Sequence, residues 1–443
     1  MAYPRLTDRP GALELAAAVR SGAQSVVETV DQAIERIERE NPRLNAVVVN
    51  DFERARDRAA AMDRTEPRED QLLFGVPMTI KESFDVQGLP TTWGRGGATA
   101  GAPRNADVVA MLKAAGAIII GKTNVPPELA DWQSANPVYG RTRNPHDPAR
   151  TPGGSSGGAA AAVAAGLVAC DYGSDIGGSI RVPAHFCGVF GHKPSWGIVP
   201  LQGQTHPSMR HAVLHDGALG VAGPLARNIP DCEALLLATT IRPLVRRHGR
   251  EGPKRILLVL DHPASPVDES VCTPVEAAVA AFEQAGILVD RRSGDLPDLS
   301  RQHRDYMRML NIAMARGLPG ADGRRANATD WFDLLDAQER NARAWDKLLE
   351  RYDAVIAPPA SILAFEHREG RVFDGTVKVD GEERAGAEGL AWAGLATFPN
   401  LPSTVIPIGE YGGLPCGLQV IARRYADLDG LAVAGRLAEI LHG

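Results

Sequence analysis

Short apolar runs separated by stretches of helical period constrain this chain more than any other feature. The run LLFGVPMTI at 72–80 has almost no polar interruption and ends at Lys81. A second run, AIII at 117–120, follows a helical stretch at 108–115 that Gly116 terminates. A strand wetted on one face alternates apolar and polar residues, so runs without alternation read as buried strands. Helix between such strands is the mark of an α/β sheet.

The rest of the chain fits that alternation. Ser25-x-x-Glu28 is a capping box, and Val26, Val30, Ala33 and Ile37 repeat at helical spacing until Asn41-Pro42, where the helix is expected to stop. Residues 52–62 predict a second helix with one polar face. From 134 to 158 the chain is rich in Gly, Pro, Asn and Ser, which predicts a long irregular loop, and such loops are usually functional. This loop runs into an Ala-rich helix at 158–165 and then into a second Gly-Ser turn at 173–179. Further strands are expected at 255–260, 287–290, 353–357, 403–408 and 417–422, with helices at 274–284 and 428–441. The polar stretch 367–389 carries the turn signals Asp374-Gly375 and Asp380-Gly381, and predicts a hairpin over a pocket.

Composition removes several function classes. With 44% hydrophobic and 23% charged residues the chain is an ordinary globular one. A net charge of −6 argues against bulk binding of nucleic acid or an anionic membrane, and the run Arg246-Arg247-His248-Gly249-Arg250 reads as solvated loop. The five Cys (170, 187, 232, 272, 416) have no CxxC pair and no metal-ligand spacing, so a reducing cytoplasm is the expected location. The N-terminal residues lack the pattern of a signal peptide. The most apolar run, 159–170, is twelve residues long and interrupted by Gly166, against the ~20 a membrane helix needs.

The informative segment is Gly153-Gly154-Ser155-Ser156-Gly157-Gly158. A flexible linker is one reading, weakened by the helix that starts directly after it. A phosphate-binding loop needs Lys-Ser/Thr after the last Gly, and Ala159-Ala160 stands there. The segment also satisfies G-x-S-x-G, a strand-to-helix elbow, yet the preceding Asn144-Pro145-His146-Asp147-Pro148 is loop rather than strand. The second turn, Asp175-Ile176-Gly177-Gly178-Ser179-Ile180-Arg181, is either a plain turn or a nest of backbone N–H groups able to hold an oxyanion beside Ser179.

Lys81, Ser155 and Ser179 taken together resemble the amidase signature family. The block TPGGSSGGAAAAVAAGLVACDYGSDIGGSIRVPAHFCGVFGHKPSWGIVP at 151–200 carries the resemblance. Segments 75–94, 136–154 and 223–231 also match, as do PNLPSTVIPIG and GLPCGLQVIA near the C-terminus; 242–350 and 362–390 match least. The resemblance implies a single domain over 1–443, a large mixed, twisted sheet covered by helices on both faces. Its core would lie in 1–240, with the more divergent 241–443 completing the same sheet. It implies Ser179 as nucleophile, Ser155 as the bridging serine that family structures show with a cis peptide bond, and Lys81 as general base. The N–H groups of Ile176, Gly177, Gly178 and Ser179 would form the oxyanion hole. Asn400-Leu401-Pro402-Ser403 departs from the commoner NLTGxP form, a matter of pocket walls.

The residue chemistry agrees with those roles. A serine hydroxyl needs a base, and a lysine is a base only when neutral, which burial favours. A lysine at a strand end is otherwise a solvent-facing ion-pair partner. The expected reaction is hydrolysis of a linear carboxamide by an acyl-enzyme, with esters or carbamates as side substrates. The alternative is the glutaminase subunit of a tRNA-dependent amidotransferase. No metal and no organic cofactor are expected; His206, His211 and His215 with Asp216 do not form a zincin-like motif. The expected partners are a small amide and water, with no nucleic acid and no membrane, in a monomer or homodimer. Arg181 reads as an internal ion-pair partner in preference to a ligand for a substrate carboxylate, Trp93 and Trp132 as core or pocket wall, and the sequon Asn327-Ala328-Thr329 as irrelevant without secretion.

Overall fold

Residues 118–120 show in miniature how the molecule is layered. Ile119 packs into a cluster with Leu431, Leu235 and Leu15, whereas Ile118 and Ile120 join one with Val30, Ile34 and Ala160. Successive strand side chains point to opposite faces, so the sheet is buried on both sides. The computed structural model describes residues 9–96, 100–206, 217–246, 252–315, 318–319 and 323–442. His211, His215, Asp216 and most of the basic run at 246–250 lie outside the described residues.

Among the described residues eleven strands form one sheet: β1 Val47–Asn50, β2 Pro77–Lys81, β3 Ile118–Thr123, β4 Cys170–Asp175, β5 Phe190–Lys193, β6 Val221–Ala226, β7 Arg255–Leu258, β8 Leu288–Asp290, β9 Ala354–Ala357, β10 Ser403–Tyr411 and β11 Leu414–Ile421. Their order is β1-β3-β2-β4-β6-β5-β10-β11-β9-β7-β8. The pairs β2–β3, β2–β4, β7–β9 and β7–β8 are parallel and the others antiparallel, so the sheet is mixed. Strands from both halves of the chain complete it, and the fold is a single α/β domain. Among the described residues no helix is long and apolar enough to cross a membrane.

The helix expected to stop at Asn41-Pro42 runs as Val26–Leu44 with Pro42 inside its last turn. The stop is Asn45, in the left-handed region at φ 55°, while Asn41 Oδ1 accepts the N–H groups of Ala46 and Val47. A helix end is decided by how its exit is capped, and Asn tolerates that geometry. The 72–80 run is strand only from Pro77; its start turns tightly, with Phe74 N–H on Gln71 O. The expected turn 173–179 also needs correction, because Cys170–Asp175 is a buried strand and only 176–179 turn. Its polar residues hid it, being held by buried partners: Asp171 by Thr79 and Thr123, Ser174 by Lys81, and Asp175 by Arg181.

The 367–389 hairpin exists as Thr376–Val379 paired with Glu382–Ala385 around Asp380-Gly381; Asp374-Gly375 ends a short 3-10 turn instead. The hairpin borders a cavity of about 820 Å³ lined by residues including Arg150, His367, Arg368 and Lys378. That cavity contains none of Lys81, Ser155 and Ser179.

Candidate active site

Strands β2 and β4 run parallel with Thr79 beside Asp171 and Ile80 beside Tyr172. Their carboxyl ends therefore deliver Lys81 and Ser174 to the same rim, the usual place for a site in an α/β sheet. The loop ahead of helix Gly157–Ala164 crosses that rim and brings Ser155 to Lys81. Close approach requires small residues here: a Cβ on Gly173 would lie 2.7 Å from Ser156 Oγ, and one on Gly158 would strike the backbone of Asn124. The Gly154–Ser155 peptide bond is cis.

Lys81 is 0% exposed and its Nζ lies 2.7 Å from Ser155 Oγ, 2.9 Å from Ser174 Oγ and 3.4 Å from Ser174 O. Burial drives its pKa down to about 7, against the attraction of Asp175 and Asp171, which raises it. Glu82, adjacent in sequence, turns away: its carboxylate accepts the N–H groups of Thr92 and Trp93 and the hydroxyl of Tyr139. Asp171 is pushed up to about 7 by burial, and its Oδ2 accepts from Thr79 and Thr123. Lys81 thus has hydroxyl and carbonyl partners and no carboxylate within hydrogen-bond distance among the described residues.

Ser156 N–H donates to Ser179 O at 3.1 Å, tying the two Gly-Ser turns together. Ser179 is 5% exposed against 1% for Ser155, and its hydroxyl makes no hydrogen bond among the described residues. Of the four N–H groups expected to hold an oxyanion, that of Gly178 donates to Asp175 Oδ1 at 3.0 Å. Those of Ile176, Gly177 and Ser179 are not engaged among the described residues. The carbonyls on the other side of the turn are fixed, Ile176 O by the Tyr306 hydroxyl at 2.8 Å and Gly177 O by Trp132 Nε1 at 2.9 Å. Gly178 sits at φ +87°, a conformation that side chains rarely adopt.

Asp175 organises the turn, accepting from Gly178 and Ile180 N–H and from Nε and Nη2 of Arg181. Burial alone would raise its pKa, but the Arg181 guanidinium outweighs this and holds the carboxyl at about 2. Arg181, 0% exposed, also donates to Ala393 O, Gln419 Oε1 and Thr397 Oγ1. It is the internal ion-pair partner that its position suggested, not a substrate ligand. Arg181→Met should therefore strand a buried carboxylate and destabilise the fold by about 3–5 kcal/mol. The contribution is present above the unfolded Asp pKa and is lost as pH falls through about 2. Urea unfolding at neutral pH checks it, and a loss well under 1 kcal/mol would contradict the assignment.

Ser174 and Gln204 were not marked by the sequence. Gln204 Nε2 donates to Ser174 Oγ at 2.6 Å and to Ser83 Oγ at 3.0 Å, which joins three segments far apart in the chain. A serine placed by strand register beside Lys81 was the one available signal, and it required knowing that 170–175 is a strand. Trp93 and Trp132 are both buried, each with its indole N–H on a backbone carbonyl, Ser83 O and Gly177 O respectively. His206 lies 2.9 Å from Glu128 and edge-on to Trp93.

A family model described as Amidase matches residues 28–336 and 321–429. Human fatty-acid amide hydrolase 2 is 44% identical, with 97% of this chain and 89% of that protein covered. The indoleacetamide hydrolase of Bradyrhizobium diazoefficiens is 34% identical over 97% of this chain and 87% of its own length. Among solved structures, a bacterial aryl acylamidase of the amidase signature enzymes superposes with a TM-score of 0.82 at 26% identity, covering 97% of this chain and 96% of that one. Sequence, fold and comparisons agree: the chain belongs to the amidase family, that of the amidase signature enzymes.

Proposed function

We propose that this enzyme hydrolyses the C–N bond of a linear carboxamide through an acyl-enzyme on Ser179, with Ser155 and Lys81 as its proton path. The observation that carries the reading is the buried Lys81 amine, 2.7 Å from Ser155 Oγ and brought to a pKa of about 7 by burial. Ser179 Oγ forms a bond to the amide carbon as its proton passes to Ser155 Oγ, whose own proton goes to Lys81 Nζ. The carbonyl electron pair becomes an oxyanion, met by the N–H groups of Ile176, Gly177 and Ser179. Collapse breaks the C–N bond, and the proton returns through Ser155 to the leaving nitrogen. Water then repeats the path on the ester.

The unengaged Ser179 hydroxyl beside unengaged N–H groups favours it over Ser155 as the attacking group. The relatives named for indoleacetamide and fatty-acid amides support an apolar acyl group. The same acyl-transfer steps extend to esters and carbamates. The test is a panel of amides, anilides, esters and carbamates with the purified chain alone, following ammonia or amine release. Release from apolar primary amides is expected; activity on glutamine only when partner subunits are added would sink the proposal and favour the amidotransferase reading.

A further inference from the structure

We infer that Gln204 is a positioning residue that keeps the Lys81 lone pair turned toward Ser155, acting through the Ser174 hydroxyl; the inference rests on Lys81 being the base. The argument is a count of protons and lone pairs. The Gln204 amide nitrogen has two protons and two hydroxyl acceptors, Ser174 Oγ at 2.6 Å and Ser83 Oγ at 3.0 Å. Ser174 Oγ therefore receives one proton from Gln204 and a second from Lys81 Nζ at 2.9 Å, which fills both of its lone pairs. Its own proton must then point elsewhere than along the line to Lys81.

A neutral lysine amine has two protons and one lone pair. With its protons on Ser174 Oγ and Ser174 O, the lone pair remains for the Ser155 hydroxyl at 2.7 Å. Remove the Gln204 donor and Ser174 is free to rotate its proton into that lone pair. Ser155 then faces an N–H and loses its proton acceptor.

Charge supports the same role. The carboxylates facing Lys81 from β4 are both committed, Asp175 to Arg181 with Lys193 nearby, and Asp171 to Thr79 and Thr123. Glu82 points to Thr92 and Trp93, and Lys122 of β3 to Pro90 O and Thr91. The position that reaches Ser174 from outside the sheet is thus filled by an amide, which donates without adding negative charge. A carboxylate there would accept from Ser174 and hold a proton on Lys81.

The test compares pH profiles of kcat and KM for Gln204→Glu, Gln204→Met, Ser174→Ala and the Ser174→Ala/Gln204→Met pair. Gln204→Glu should move the acid limb of kcat/KM up by about one pH unit or more at little-changed KM, and regain the parent rate above it. Gln204→Met should lower kcat about ten-fold, with no further loss once Ser174 is alanine. An unmoved acid limb, failure of the Glu variant to recover at high pH, or losses that multiply in the double variant would each overturn the inference. The reading beneath it fails differently: Lys81→Ala would then remain active whatever stands at 204.

Discussion

Ser179→Ala should abolish turnover, with kcat falling on the order of 10⁴- to 10⁶-fold, as expected when a nucleophile is removed from an otherwise intact site. The residue is small and 5% exposed, and its hydroxyl bonds to no described group, so the variant should fold with unchanged Tm. That separates a chemical loss from a structural one. A fluorophosphonate probe followed by peptide mapping should label Ser179 in the parent and nothing in the variant. Ser155→Ala removes the bridge but keeps the nucleophile, so slow residual labelling is expected there. A hydrolase of the elbow type reverses these assignments: label on Ser155 or Ser156, with Ser179 free, would remove Ser179 from the chemistry altogether. The loop ahead of Gly153 already weighs against that geometry, because residues 144–153 form no strand and Asn144 is instead bonded to Thr151 O and Phe186 O.

Pattern alone marked three places, the end of an apolar run at Lys81 and the Gly-Ser turns holding Ser155 and Ser179 on either side of an Ala-rich helix, and the family resemblance implied their roles. The α/β class was visible in pattern as well, since buried strands such as Ile118–Thr123 contain consecutive apolar residues. Strand β4 was not, because Cys-Asp-Tyr-Gly-Ser-Asp has neither alternation nor an apolar run. It is held by pairing to β2 and β6 on both sides, and those partners outweigh its weak local preference. Gln204 was hidden by distance, as its partners Ser83 and Ser174 are 121 and 30 residues away in sequence. The resemblance supplied four N–H groups for an oxyanion; only atomic detail shows that Asp175 occupies the one on Gly178.

The pH dependence provides the test of the base. If neutral Lys81 is the acceptor, kcat/KM should be flat above its pKa of about 7 and fall about ten-fold for each pH unit below it. Lys81→Met replaces the amine with an apolar chain of similar length, and should cost about 10²- to 10⁴-fold in kcat while abolishing that limb. Stability gives a readout independent of activity. In the unfolded chain the lysine titrates near the ordinary lysine value of 10.5, whereas in the folded one it loses its proton near 7. Between these values the unfolded state binds more protons, so the lysine makes stability rise with pH across that window. Below about 7 both states are protonated and its contribution to the slope vanishes. Urea unfolding of parent and Lys81→Met from pH 6 to pH 10 should therefore diverge in slope only above neutrality. A parent slope identical to that of the variant would mean that Lys81 keeps its proton in the folded enzyme, and a protonated amine cannot take one from Ser155.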